Sequence, residues 1–422
     1  MPNRQILLLL LSACLLLNTW GRGAEPKNLE QFSQLSDADK EKLLAKRVKE
    51  TDGYFQARVG NYVINSEIDR ESAYSWGLVL REFAEEAVDD GLFPAKPLGK
   101  WLPGLYLFKD KGSYQSHLQG FGFNPGWSDG MFAYGNKLKS PSLLVYQSTE
   151  ERMREVIFHE GTHQLMFLHV GNTPTWFNEG YATNIETYDI NRRLKANLYH
   201  AMFVNNRAIG VMKLIESDSL IPLSKLKFVD GKEWSNASGK EVHAQYASAW
   251  LIVNYFFTCK KGRKAVVKLL STYRDHKKEP TFNLEELDRD IKEHGQKTVI
   301  PCVKYGRKVF AALDGGDTAA AAPILETMEK EFPDNPEAKF YRLWLKLLTG
   351  GDAKETATAA EALVKANPDF YHPALNYVLA TGYFKANNAA KAKDYAEKAR
   401  RDNIKHEPTL KLLEDLKKAA RP

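Results

Sequence analysis

The chain has 422 residues and a formal net charge of +6, with 43% hydrophobic and 27% charged residues. That length allows two or three domains with their own cores, and the composition is globular rather than disordered or collagenous. The basic excess is small and no Lys/Arg stripe with interleaved aromatics occurs, so no nucleic-acid partner is expected.

The chain opens with MPNRQ, then the apolar run ILLLLLSACLLL, then the small residues Gly21, Gly23 and Ala24. This reads as a secretory signal over residues 1–23, because the run is too short and wrongly flanked for a membrane span. Leu11-Ser12-Ala13-Cys14 resembles a lipobox, but Leu15–Leu17 continue the apolar run beyond the cysteine. Plain export to the periplasm or the exterior is favoured, with membrane contact only if Cys14 carries a lipid. Cys259 and Cys302 then remain, either paired or as two buried thiols.

Residues 24–50 contain LSDADKEKLLAKRVKE and predict a capped helical lead-in. NYVINSE predicts a strand, and the amphipathic stretch from Glu67 to about Asp90 a helix. GLYLFKD and SLLVYQS predict further strands. Between those two lies GFGFNPGWSDGMFAYGN, irregular to about Asp129 and then a short edge strand, GMFAYG. An extended peptide held along that edge is one way to present main chain for cleavage. Helices are expected over residues 150–170, 176–205, 241–258 and 262–275, followed by a connector at 281–304. From residue 305 to 420, FPDNPEAKFYRLWLKLL is echoed by ANPDFYHPALNYVLATGYF, with Asn335-Pro336 and Asn367-Pro368 32 residues apart. Period and small-residue pattern resemble tetratricopeptide (TPR) repeats, whose helix pairs bury by stacking what no single pair can cover.

Chemistry concentrates in EVIFHEGTHQLMF, residues 155–167. Positions i and i+4 of a helix lie about 40° apart around the axis and roughly 6 Å along it. His159 and His163 therefore project together, as two imidazoles aimed at one ion, with Glu160 beside them within reach of a metal-bound water. The alternative, two core histidines and a buried glutamate, requires a partner for the carboxylate that the local sequence does not supply. His169 falls on another side of the helix and reads as structural. A catalytic zinc needs a third protein ligand, and Glu179 in PTWFNEGYATNIE follows a proline and a turn that let the chain fold back.

HExxH followed by WxNEGxA resembles the gluzincin metallopeptidases, and most nearly an exported bacterial "peptidase MA-like" branch that often carries helical repeats. The resemblance spans residues 50–275 and is specific over 155–187. It implies an α+β, predominantly α fold: a thermolysin-like metallopeptidase domain over 51–280, with a small N-terminal sheet and a helical active-site subdomain, then TPR-like repeats. It implies one zinc per chain, ligated by His159, His163 and Glu179, with Glu160 as base. It further implies Glu186 as acceptor for a ligand histidine's N–H, and Tyr246 as oxyanion donor with His243 in reserve. No GxMEN motif is present, so aminopeptidase specificity is not implied. The expected function is hydrolysis of peptide bonds in a peptide or protein substrate, with the repeats recruiting a protein partner. A zinc-containing but inert scaffold is the alternative reading, and a hydrolase of cell-wall peptide a third.

Overall fold

In the computed structural model, residues 25–123, 128–135, 138–277 and 281–419 are described; the signal segment and Cys14 lie outside them. Side-chain oxygens of Asn28 and Ser36 accept first-turn amides and so start α1 (Leu29–Ser33) and α2 (Asp37–Arg47). The lead-in helix expected to reach residue 50 stops at Arg47. Val48–Thr51 instead form strand β1, antiparallel to β2 (Tyr54–Val59). Val48 is buried opposite Ala57, where a β-branched side chain packs better than in another helical turn.

There follow β3 (Tyr62–Ser66), α3 (Arg70–Asp89), β4 (Gly104–Phe108), α4 (Lys111–Phe121), β5 (Gly130–Gly135) and β6 (Leu138–Tyr146). The sheet runs β1-β2-β3-β4-β6-β5, parallel across β3, β4 and β6, with β5 antiparallel at the open edge. Helix α4, not expected from the sequence, is capped by Asp110 and closes on Gly122 at φ 88°, a left-handed conformation suited to glycine.

The chain then turns helical: α5 (Glu150–His169), α6 (Thr175–Ile185), α7 (Leu194–Val204), α8 (Asn206–Glu216), α9 (Leu223–Leu226) and α10 (Gly231–Asn236). Next come α11 (Lys240–Thr258), α12 (Lys260–Arg274) and α13 (Leu284–His294). The single helix expected over 176–205 is therefore two. Asp189 accepts from the Asn191 amide at 2.9 Å, while Asn197 accepts from the Asp189 N–H at 2.7 Å and donates to the Arg192 carbonyl at 2.7 Å. These side chains satisfy the backbone of a turn and so interrupt the helix.

Helix α13 continues through π-turns Gly295–Val299 and Cys302–Gly306 into α14 (Arg307–Asp314), so the expected connector is helical. Then follow α15 (Thr318–Glu331), α16 (Pro336–Leu348), α17 (Ala353–Ala366), α18 (Leu375–Lys385), α19 (Ala389–Asp402) and α20 (Glu407–Ala419). Asn335 caps α16 with Pro336 at its first turn, whereas Asn367 ends α17, so the echoed Asn-Pro pairs occupy unlike positions.

A large hydrophobic cluster joins the sheet to the helices as far as Cys302, and a second runs from Val309 to Leu416. Polar contacts stitch the two together. Asn335 donates to the Lys297 carbonyl at 2.9 Å, Arg307 to the Met202 carbonyl at 3.1 Å, and the Lys260 amide to Asp369 at 2.7 Å. The fold is mixed α+β and predominantly helical. Among the described residues no helix is long and apolar enough to cross a membrane.

Candidate metal centre

Helix α5 is pinned to α3 by the stacked rings of Phe83 and Phe158, 4.5 Å apart, and its other side runs against β5. A Cβ on Gly130 of β5 would stand 2.4 Å from Val156, so glycine there permits the close approach of strand and helix. That approach brings Glu160 to the strand, where it accepts the Phe132 N–H at 2.7 Å.

One turn apart on α5, the rings of His159 and His163 lie edge to face with centroids 4.9 Å apart. The chain reverses through Gly171 and Pro174 and returns as α6, which carries Glu179. Glu179 Oε2 stands 3.6 Å from His159 Nε2 and 3.7 Å from His163 Nε2. The opposite ring nitrogens meet oxygens: His159 Nδ1 lies 3.1 Å from Glu186 Oε2, and His163 Nδ1 3.0 Å from Asn178 Oδ1. Each Nδ1 therefore carries the hydrogen, and both Nε2 lone pairs point to the space shared with Glu179.

With both rings neutral, three acceptors thus converge with no donor among them. Glu179 Oε2 is buried and without a hydrogen-bond partner among the described residues, a costly arrangement unless a cation sits between. The three ligating atoms lie within 4.8 Å of one another. A tetrahedral ion about 2 Å from each donor sets neighbours about 3.3 Å apart, close to the separations found. The residues fit a metal ion.

Electrostatics point the same way. Burial opposes a charged imidazole at His159, but Glu179, Glu186 and Glu160 outweigh it and push the pKa up to about 10. Burial also opposes a charged Glu179, yet the two histidines and the Tyr246 hydroxyl hold its carboxyl below the usual range. Both shifts describe a pocket that favours positive charge at its centre.

Glu186 is itself held, accepting from Asn205 Nδ2 at 2.9 Å through its second oxygen. From α11, Tyr246 and His243 line the same cleft of about 1360 Å³ as His159, Glu160 and Glu186. The Tyr246 ring lies beneath the Arg207 guanidinium, 4.8 Å from its centroid, and edge-on to Trp234. Burial, with the Glu179 and Glu160 carboxylates, pushes the Tyr246 hydroxyl up, so it stays a donor. His243 is exposed at the rim. Helix α6 reaches α11 only because residue 180 is glycine: a Cβ there would stand 2.5 Å from the Ala249 carbonyl oxygen. His169 lies apart, its Nδ1 2.7 Å from the Pro94 carbonyl.

Sequence reasoning missed Asn178, Asn205 and the Phe132 amide. Asn178 was within reach, since it directly precedes Glu179 in the quoted motif. A backbone donor on a strand and an asparagine two helices away leave no local signal.

Residues 155–280 match a family model described as "Protein of unknown function (DUF1570)". No curated protein matches the chain.

Proposed function

We propose that this protein is an exported zinc-dependent peptidase of the gluzincin type, its thermolysin-like domain followed by TPR-like repeats that recruit a protein substrate or partner. The observation that carries the reading is the buried, partnerless Glu179 oxygen facing two imidazole lone pairs beside Glu160. His159, His163 and Glu179 would hold the ion. When bound, zinc supplies a Lewis acid that polarises a carbonyl and lowers the pKa of water toward neutrality.

The chain's own groups do the rest. Glu160, fixed by the Phe132 N–H, takes the proton of the attacking water and returns it to the leaving amine. Tyr246, kept protonated, donates to the oxyanion that develops on the scissile carbonyl. Glu186 and Asn178 hold the two histidines in the tautomer that leaves Nε2 free. Export rests on the apolar leader, and substrate recruitment on the helical repeats stitched to the catalytic helices.

The test is metal content with cleavage of an unstructured protein. The parent is expected to hold one zinc per chain and to cleave. Glu160→Gln should keep the zinc while hydrolysis falls by at least about a hundredfold, the scale of general-base catalysis. Full zinc occupancy with no cleavage of any peptide pool would instead favour the inert scaffold.

A further inference from the structure

A second constellation lies away from the metal centre, where the two hydrophobic clusters meet. Cys259 stands between α11 and α12, at the N-cap of the latter's 15 residues. Its Sγ lies 3.6 Å from His294 Nδ1, and His294 Nε2 lies 3.0 Å from Asn254 Oδ1. The two cysteines among the described residues are free thiols, and Cys302 is fully buried while Cys259 is half-buried.

The direction of each hydrogen bond follows from backbone anchors. Asn184 donates its amide hydrogens to the carbonyls of Gly180 and Trp250, at 2.8 and 2.9 Å, so its Oδ1 is an acceptor. That oxygen receives Asn254 Nδ2 at 3.2 Å, which leaves Asn254 Oδ1 facing the histidine. His294 must then carry its hydrogen on Nε2, and its bare Nδ1 faces the thiol. Thiol, imidazole and amide in this order make a nucleophile, a base and the group that orients the base. The same order recurs on unrelated folds.

The thiol and imidazole residues line a cavity of about 690 Å³, whose lining also includes Phe332, Phe370 and Tyr371. The Tyr371 hydroxyl is buried and has no hydrogen-bond partner among the described residues. The exposed lining is mostly apolar, with the charged Lys195, Lys297, Glu331, Asp334 and Asp369 also bordering the cavity.

We propose that Cys259, His294 and Asn254 form a second reactive centre, separate from the metal site, that takes an apolar acyl group from an ester or thioester bound in this cavity. The Cys259 sulfur bonds to the acyl carbonyl carbon as His294 Nδ1 takes the thiol proton. The bond to the leaving alkoxide or thiolate breaks, and His294 gives that proton to it. Water, deprotonated by His294, then cleaves the acyl–sulfur bond, releasing the acid and restoring the thiol. Asn254 acts as a positioning residue through Nε2. Burial pushes the thiol up to about 11 and the imidazole down to about 4, so the pair rests uncharged and the proton moves only during attack.

The experiment uses the full chain carrying Glu160→Gln, so that hydrolysis at the proposed metal site is suppressed by about a hundredfold or more, with 4-nitrophenyl butyrate as probe. The expected result is a burst of one 4-nitrophenolate per chain, with the butyryl group on Cys259 and none on Cys302 by peptide mass spectrometry. His294→Gln should slow the burst by about a hundredfold or more, the scale of general-base catalysis. Asn254→Asp, which keeps an acceptor for the Nε2 hydrogen, should retain far more of it than Asn254→Ala. His294 is buried and its variant is at risk of misfolding, so Cys259→Ser, which keeps a small polar side chain at that position, provides a second arm and should lower butyryl transfer to residue 259 by at least tenfold. No burst in the parent, a butyryl group elsewhere, or an unchanged rate in folded His294→Gln would each overturn the proposal.

Discussion

Removing the Glu186 carboxylate tests whether the metal centre is built outward from its ligands. His159 Nδ1 lies 3.1 Å from Glu186 Oε2, and Asn205 holds the other oxygen at 2.9 Å, so the partner is itself fixed. Glu186→Ala leaves the His159 N–H without its acceptor and its ring free to turn. The desolvation of that orphan donor, about 1–3 kcal/mol, weighs on apo and metal-bound forms alike and so appears in stability rather than affinity. What appears in affinity is the lost orientation and the lost negative charge. Outer partners of this kind change metal binding by about 10–100-fold, or about 1.4–2.7 kcal/mol. Glu186→Gln keeps an acceptor but not the charge and should fall between parent and alanine. Zinc affinity is read by competition with a chromophoric chelator at pH 7, with circular dichroism confirming the fold. Zinc binding within twofold of the parent in both folded variants would refute the reasoning.

Tyr246→Phe should retain zinc and lower kcat by about 10²–10³ with little change in KM, the signature of a lost oxyanion donor; an unchanged kcat would remove Tyr246 from the chemistry. Gly180→Ala should destabilise the protein by about 1–3 kcal/mol and loosen zinc, because its Cβ would stand 2.5 Å from the Ala249 oxygen. Denaturant unfolding and the same chelator titration measure both. Burial pushes the Glu337 carboxyl up from 4.5 to about 7, only partly offset by the hydroxyls of Tyr199 and Tyr341. The folded state thus holds this proton more tightly than the unfolded one. The resulting stability is full below pH 4.5 and declines as pH rises through about 7. About 3 kcal/mol is at stake, so Glu337→Gln should flatten the difference in unfolding free energy between pH 5 and pH 8.

Much of the centre was legible because helical spacing alone sets His159, His163 and Glu160 on neighbouring positions of one element. Glu179 was legible less directly, from the proline and turn that let the chain fold back and from the family-like motif, since nothing local states where a second helix will return. The edge strand GMFAYG could be read from its flanking turn residues. The lead-in was misread at Val48, where pairing with β2 overrides a helical pattern that Lys49 and Glu50 would continue. The break after Ile185 was hidden for a related reason: it depends on Asn197 reaching back to Asp189 and Arg192 from the following helix. The Cys259–His294 contact joins residues 35 positions apart, and no spacing rule connects them.

The Phe132–Glu160 bond has a colloidal side. An unpaired sheet border invites a second molecule to zip onto it, and in β5 one of the amides that would do so is already occupied by a carboxylate of the chain's own helix. Glutamine at position 160 keeps an oxygen for that amide; alanine would leave it bare. Of these two variants, the alanine form should therefore be the one that self-associates on standing, while the glutamine form stays monodisperse.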